Sequence, residues 1–162
     1  MLTAGLDRQA ARWSGIAGGL SGVAGDRAWA LLALGSPDAS VGISTGRVSE
    51  FVDRDESDGR IRSKLLLAGL AGLERLPADD LTDVANDLGV RLGMRNRWTV
   101  MIDGAAARHQ EGTVALLAAT GMQTTDWRGV PPEYLFHVVR SLKLAGLEFE
   151  ARMIAAEALS RV

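Results

Sequence analysis

The chain has 162 residues, of which 47% are hydrophobic and 23% charged, a balance that suits one compact domain and excludes a disordered or fibrous protein. A formal net charge of -2 gives no overall field for nucleic acid or acidic lipid, so any anionic partner needs a local basic patch. The absence of cysteine excludes disulfides, thiolate-ligated zinc and a cysteine nucleophile.

The sequence as written predicts neither a membrane segment nor a leader. Its longest uncharged stretches, residues 13–25 and 113–125, are shorter than the roughly 20 apolar residues of a membrane-spanning helix. No basic end followed by an apolar run opens the sequence, so we expect a cytoplasmic protein, the alternative being an exported protein whose leader is missing. Arginine outnumbers lysine sixteen to two, which is typical of a GC-rich bacterial genome.

We predict a single helical domain over residues 1–162, in which residues 1–59 are glycine-rich and less regular and residues 60–162 form regular helical hairpins. Residues 4–35 are small and interrupted by glycines, which indicates a loop or a closely packed helix. Within them, residues 26–35 predict a short buried helix with an acidic first turn and a terminal glycine.

From residue 60 onward the apolar residues recur at helical spacing. Residues 60–76 are apolar around most of the helix circumference, as expected of a buried helix. Pro77 opens the next helix, whose apolar stripe runs to Leu92. Further helices are predicted over residues 98–109, 114–121, 131–146 and 147–159. Because no alternating pattern indicates a strand, we predict an all-α fold of successive antiparallel hairpins, either a compact bundle or a short solenoid.

Two of the predicted helices match in register when counted from Pro77 and from Pro131, which suggests a degenerate hairpin repeat. Their corresponding apolar positions are Leu81, Val84, Ala85 and Leu88 in one and Leu135, Val138, Val139 and Leu142 in the other. Residues 146–151 and 155–159 resemble the second half of a tetratricopeptide motif. The tryptophan, leucine, glycine and tyrosine of its first half are missing, so this resemblance identifies no family.

Two short motifs indicate chemistry but lack its usual context. Residues 42–46 match the Gly-x-Ser-x-Gly nucleophile elbow, which would present Ser44 between a strand and a helix, yet Pro37 lies where that strand would run. Residues 53–59 begin like a calcium loop, but Lys64 occupies the place of the closing glutamate. We interpret the first as a flexible turn and the second as an acidic linker.

His137 lies one helical turn after Glu133, so the two would share a face as half of a metal site or as a base and its orienting acid. Either site needs a further group, and His109 is the only other histidine in the chain. We therefore interpret the pair as an ordinary surface contact, and we predict no catalytic residue, no metal and no cofactor.

The best candidate contact site is the arginine cluster, which we define as Arg91, Arg95 and Arg97, together with the adjacent Trp98. No acidic residue lies among the three arginines. Guanidinium groups beside an indole face suit a phosphate, an acidic peptide or a nucleotide. Arg91 and Arg95 also lie near the end of a predicted helix, where cations stabilise the helix dipole without a ligand, and we favour this structural interpretation.

These patterns predict a non-enzymatic helical module whose concave or apolar helix face binds a protein partner or a second copy of itself. The alternative is an anionic-ligand or nucleic-acid module that uses the arginine cluster and Trp98, with nucleic acid the less expected partner. A second alternative is a small helical hydrolase that uses Ser44 or the Glu133 and His137 pair. The sequence identifies neither a substrate nor a pathway.

Overall fold

A computed structural model describes residues 7–37 and 41–162, and within them it contains ten α-helices and two 3₁₀ turns but no β-strand. The all-α prediction is therefore confirmed for the described residues. The helices are α1 (Asp7–Ala11), α2 (Ser14–Gly18), α3 (Gly22–Gly35), α4 (Thr45–Asp53), α5 (Ile61–Gly72), α6 (Ala78–Leu88), α7 (Arg97–Ala107), α8 (Glu111–Gly121), α9 (Pro132–Leu144) and α10 (Glu148–Ser160). None of these helices has the length and apolar character that crossing a membrane would require.

Helices α5 and α9 form the most extensive helix pair, and each also packs against several other helices. The α5 run from Leu65 to Leu70 is buried, in agreement with its uninterrupted apolar pattern. Gly72 at the end of α5 lets α9 approach closely, because a Cβ atom there would lie 2.9 Å from the Cβ of Val139. The apolar stripe predicted for α9 is fully or almost fully buried at Leu135, Val138, Val139 and Leu142.

Helices α10 and α3 cover one side of the central pair, and α10 contacts α9, α5 and α3. Small side chains on α10 let these neighbours pack closely, since the distance between helix axes depends on the side chains at the contact. Its buried alanines are Ala151, Ala155, Ala156 and Ala158.

Helices α6, α7 and α8 complete the core, with α6 packed on α5 and the other two packed on each other and on α9. Helix α6 ends at Leu88, four residues before the predicted stripe ends at Leu92. The reason is Gly89, which takes a left-handed φ of 68° and donates its N–H to the carbonyl of Asn86. Leu92 therefore lies in the segment that connects α6 to α7.

The N-terminal helices form a layer that is attached mainly through α3, since α1 and α2 pack chiefly against that helix. Ala10, Ala17 and Leu32 make a small hydrophobic cluster of their own, separate from the main core. Where the sequence indicates a loop or a packed helix, the described residues are largely helical. Helix α3 begins at Gly22, four residues earlier than predicted.

A buried carboxylate fastens α4 and its end to α3. Asp26 accepts hydrogen bonds from Nη2 of Arg47 at 2.6 Å and from Nε of Arg54 at 2.7 Å. The Arg47 guanidinium also lies 4.7 Å from the centre of the Trp29 ring, within cation–π distance. The hydrogen bonds from Arg54 and Arg47 hold the pKa of Asp26 below its ordinary value, against the opposing effect of burial.

Candidate functional site

The segment between α6 and α7 carries the arginine cluster. Asn96 caps α7, because its side-chain oxygen accepts from the N–H of Thr99 at 2.9 Å while the Thr99 hydroxyl oxygen accepts from the N–H of Asn96 at 2.8 Å. Arg97 is therefore the first residue of α7, and Arg91 and Arg95 precede the cap. All three arginine side chains are exposed.

The helix-dipole interpretation does not account for these arginines. No basic residue lies in the last turn of α6, and Arg97 stands at the positive end of α7, where a cation is unfavourable. Within residues 7–37 and 41–162, no ion pair involves Arg91, Arg95 or Arg97. The cluster is thus a group of solvated cations whose presence helix capping does not explain.

Trp98 belongs to the packing of α7 rather than to an open surface. Its ring stacks on Tyr134 with 4.5 Å between centroids and 18° between planes. Its indole N–H donates to the carbonyl of Leu117 at 3.0 Å, and Gly121 leaves space for its six-membered ring. Trp98 therefore joins α7 to α8 and α9, and it offers the arginine cluster neither its indole N–H nor the ring face that stacks on Tyr134.

The structure does not bring Glu133 and His137 together. His137 is buried, with Nδ1 2.9 Å from a carboxylate oxygen of Asp103 and Nε2 3.1 Å from the carbonyl oxygen of Met94. Glu133 instead accepts the backbone N–H of Arg91 at 3.1 Å. Glu133 and His137 of α9 therefore both hold the segment that carries the arginine cluster. Neither ring nitrogen of His137 is open to a substrate.

Ser44 is the N-cap of α4. Its Oγ accepts the backbone N–H of Arg47 at 3.2 Å, and no strand precedes it among the described residues 41–43. This contact gives Ser44 a structural role, since serine is one of the residues favoured at a helix N-cap.

In the calcium-like segment, residues 53–59, Asp55 has a structural role. The Asp55 carboxylate accepts the backbone N–H groups of Ser57 and Ser63 at 2.9 Å each and the Ser63 hydroxyl at 2.6 Å. Burial would raise the pKa of Asp55, but these hydrogen bonds outweigh it and lower the pKa. Among the side chains that the structure describes, no three His, Asp or Glu residues lie close enough together to hold a metal ion.

An apolar concave surface lies at the N-terminal helices, where the sequence pattern indicates only a loop or a packed helix. We call it the N-terminal groove, an open apolar depression of about 550 Å³ between α1, α2, α3 and the end of α10. Large side chains form its walls, and alanines together with Leu32 form much of its floor. The lining residues are Ala10, Trp13, Ile16, Ala17, Leu20, Ala28, Leu31, Leu32, Ala156 and Ser160.

The walls of the N-terminal groove are unusually exposed for apolar side chains. Trp13, Ile16 and Leu20 are 50%, 59% and 50% exposed, and the neighbouring Val23 is 55% exposed. The signal in the sequence was the uncharged stretch of residues 13–25, which combines large apolar residues with glycines. That stretch is too short to span a membrane, and its glycines predict a loop or a closely packed helix rather than an exposed apolar surface.

Comparison of the chain with protein-family models, with curated proteins and with solved structures finds no match.

Proposed function

We propose that the protein is a non-enzymatic binding module whose N-terminal groove takes an apolar helix face of a protein partner or of a second copy. The observation that carries this proposal is the exposure of Trp13, Ile16 and Leu20 around one continuous apolar depression. Single exposed apolar residues are ordinary, whereas a contiguous apolar patch on a groove is typical of an interaction site.

The free energy available at this surface supports the proposal. Full burial of a large apolar side chain contributes about 1.5–3 kcal/mol, and Trp13, Ile16 and Leu20 each retain about half of their surface for a partner to bury. The gain is therefore roughly 1 kcal/mol for each side chain, before the cost of association. The alanine floor supports the same function because it leaves room between the walls for a partner's side chains.

A helical-hairpin architecture fits this function, and we propose it for the regular part of the chain. Helices α6 and α9 both follow a proline, and each contacts the helix before it. Their matching apolar registers support the interpretation of α5–α6 and α8–α9 as two copies of one hairpin in a bundle or short solenoid.

A second candidate function is the binding of an anionic ligand at the arginine cluster. The observation that favours it is the exposure of three guanidiniums that helix capping leaves unexplained. Such groups suit phosphate or carboxylate recognition. Because Trp98 is committed to Tyr134 and Leu117, this function would rest on the cations alone.

The test of the groove is site-specific photocrosslinking in cells that produce the protein. A benzophenone amino acid replaces Ile16 in one variant and Leu116 in the control, since Leu116 is 69% exposed but does not line the groove. We expect discrete adducts from position 16 and none of the same mass from position 116. Identical adducts from both positions, or none from position 16, would contradict the proposed function.

A further inference from the structure

We infer that the occupant of the N-terminal groove is an acidic amphipathic helix of another protein rather than a second copy of this chain. The inference rests on the proposed function and adds the chemistry of the partner. It is carried by the charges that border the groove, because the groove itself is lined by apolar side chains and one serine.

The exposed charged side chains described between residues 9 and 37 are both arginines. Among the side chains described between residues 9 and 37, the charged ones are Arg12, Asp26 and Arg27. Asp26 is buried and bound to Arg47 and Arg54, so it offers no negative charge to a partner. Arg12 and Arg27 are exposed, and no ion pair in the described part of the chain involves either of them.

One end of the groove continues into a second, cationic depression. Arg27 and Arg62 line this depression together with Leu31 and Ser160, which also line the groove. Asp55 and Glu56 share a separate depression with the two arginines, but they line neither the groove nor the cationic depression. The Nε of Arg62 already donates to the carbonyl oxygen of Val162 at 2.9 Å, whereas Arg27 is exposed. A helix seated in the groove would therefore place the residues that flank its apolar face beside the Arg27 guanidinium, and a carboxylate is the side chain that complements it.

The same charges disfavour a second copy as the occupant. Pairing two N-terminal grooves face to face would bring both sets of Arg12 and Arg27 to one interface without an exposed acid from α2 or α3 to offset them. The chain does have an acidic helix, α6, with four exposed acids after Pro77. Its apolar residues Leu81 and Leu88 are buried in the core, so that face is not free to enter a groove.

Two designed peptides test the inference directly. Both carry the same leucine and alanine face at helical spacing, but one has glutamate and the other lysine at the flanking positions. Fluorescence anisotropy measures their affinity for the full chain at low and at high salt. We expect the glutamate peptide to bind about tenfold more tightly at low salt, which corresponds to about 1.4 kcal/mol, and the preference to shrink as salt screens the exposed charges.

Charge reversal supplies the matched variants. The double variant Arg12→Glu and Arg27→Glu should invert the preference, so that the lysine peptide binds more tightly. The control variant Arg108→Glu and Arg128→Glu makes the same change to exposed arginines outside both the groove and the arginine cluster, and it should keep the preference of the wild type. Loss of the preference in the control, with no effect of the groove variant, would show that net charge rather than the groove sets the preference and would overturn the inference.

The remaining outcomes separate this inference from the proposed function. Both peptides could bind with equal affinity, and binding could be lost in Ile16→Glu but not in Leu116→Glu. That result would overturn the inference that the partner is acidic and would leave the groove as a binding site. Concentration-dependent dimers in sedimentation velocity, abolished by Ile16→Glu, would identify a second copy as the occupant and overturn the inference alone. If neither peptide binds, the inference that the groove binds an amphipathic helix is wrong. The crosslink at position 16 then decides whether the groove binds any partner.

Discussion

Replacement of Gly72 by alanine should destabilise the protein, although the same replacement usually stabilises a helix. The new Cβ would lie 2.9 Å from both Cβ and Cγ1 of Val139 and 3.1 Å from the carbonyl oxygen of Phe136. These atoms lie on α9, and restoring ordinary contact requires a separation of about 0.5 Å in the most extensive helix pair of the structure.

The magnitude follows from two opposing terms. Overpacking of a close-packed core costs about 1–3 kcal/mol, whereas alanine gains at most about 1 kcal/mol over glycine in a helix interior and less at a helix end. Gly72 is the last residue of α5, so the steric cost prevails and we expect a net loss of roughly 1–2 kcal/mol in the free energy of unfolding. For a chain of this size, that corresponds to a decrease in Tm of about 2–8 °C.

Gly104→Ala is the matched control. Gly104 lies inside α7, and its added Cβ would meet only the flexible end of Arg108, at an ordinary distance of 3.5 Å. This variant should gain about 0.5–1 kcal/mol, so the two identical substitutions should shift Tm in opposite directions in thermal unfolding followed by circular dichroism. A Gly72→Ala protein that is as stable as Gly104→Ala would refute the close packing of α5 on α9.

Three further predictions concern charge and domain integrity. Because the pKa of Asp26 is lowered in the folded protein, the ionised carboxylate stabilises the fold above an unfolded pKa of about 3.9, and this stabilisation is lost as pH falls through the folded pKa. The Tm of Asp26→Asn should therefore fall less steeply below about pH 5 than the Tm of the wild type, and parallel curves of Tm against pH would contradict this. Replacement of the whole arginine cluster by glutamine should change Tm by less than about 3 °C, since these exposed cations make no described ion pair, whereas a larger drop would show that they stabilise the fold. A chain truncated before Pro131 lacks α9 and α10, so it should show no cooperative thermal transition, and a cooperatively folded fragment would show that this hairpin is an appendage.

The helices from residue 60 onward were predictable because their apolar periodicity coincides with burial. The stripe Leu81, Ala85 and Leu88 is buried as its spacing predicts. The end of α6 was missed because the apolar spacing continues to Leu92, whereas the left-handed conformation of Gly89 ends the helix before it. In α6 the boundary is thus marked by the left-handed glycine and not by the next leucine.

The contacts of the candidate sites were much less predictable, because they depend on residues far apart in the sequence. Spacing within one helix suggested Glu133 as the partner of His137, whereas the structure pairs it with Asp103, 34 residues away. The N-terminal groove was missed for a similar reason. Whether Ile16 is covered depends on where α10 ends relative to α2. The pattern of residues 13–25 carries no information about that position.

The separation of the N-terminal layer from the main core has a consequence for hydrogen exchange. Amides of α1 and α2 are held by a small cluster centred on Ala10, Ala17 and Leu32, so they can exchange when that layer opens locally, whereas amides in the middle of α5 and α9 require global unfolding. A partner that fills the groove contacts the layer together with α10. Occupancy would therefore slow exchange in α1 and α2 in proportion to the partner's affinity, which makes these amides an intrinsic reporter of binding that needs no label.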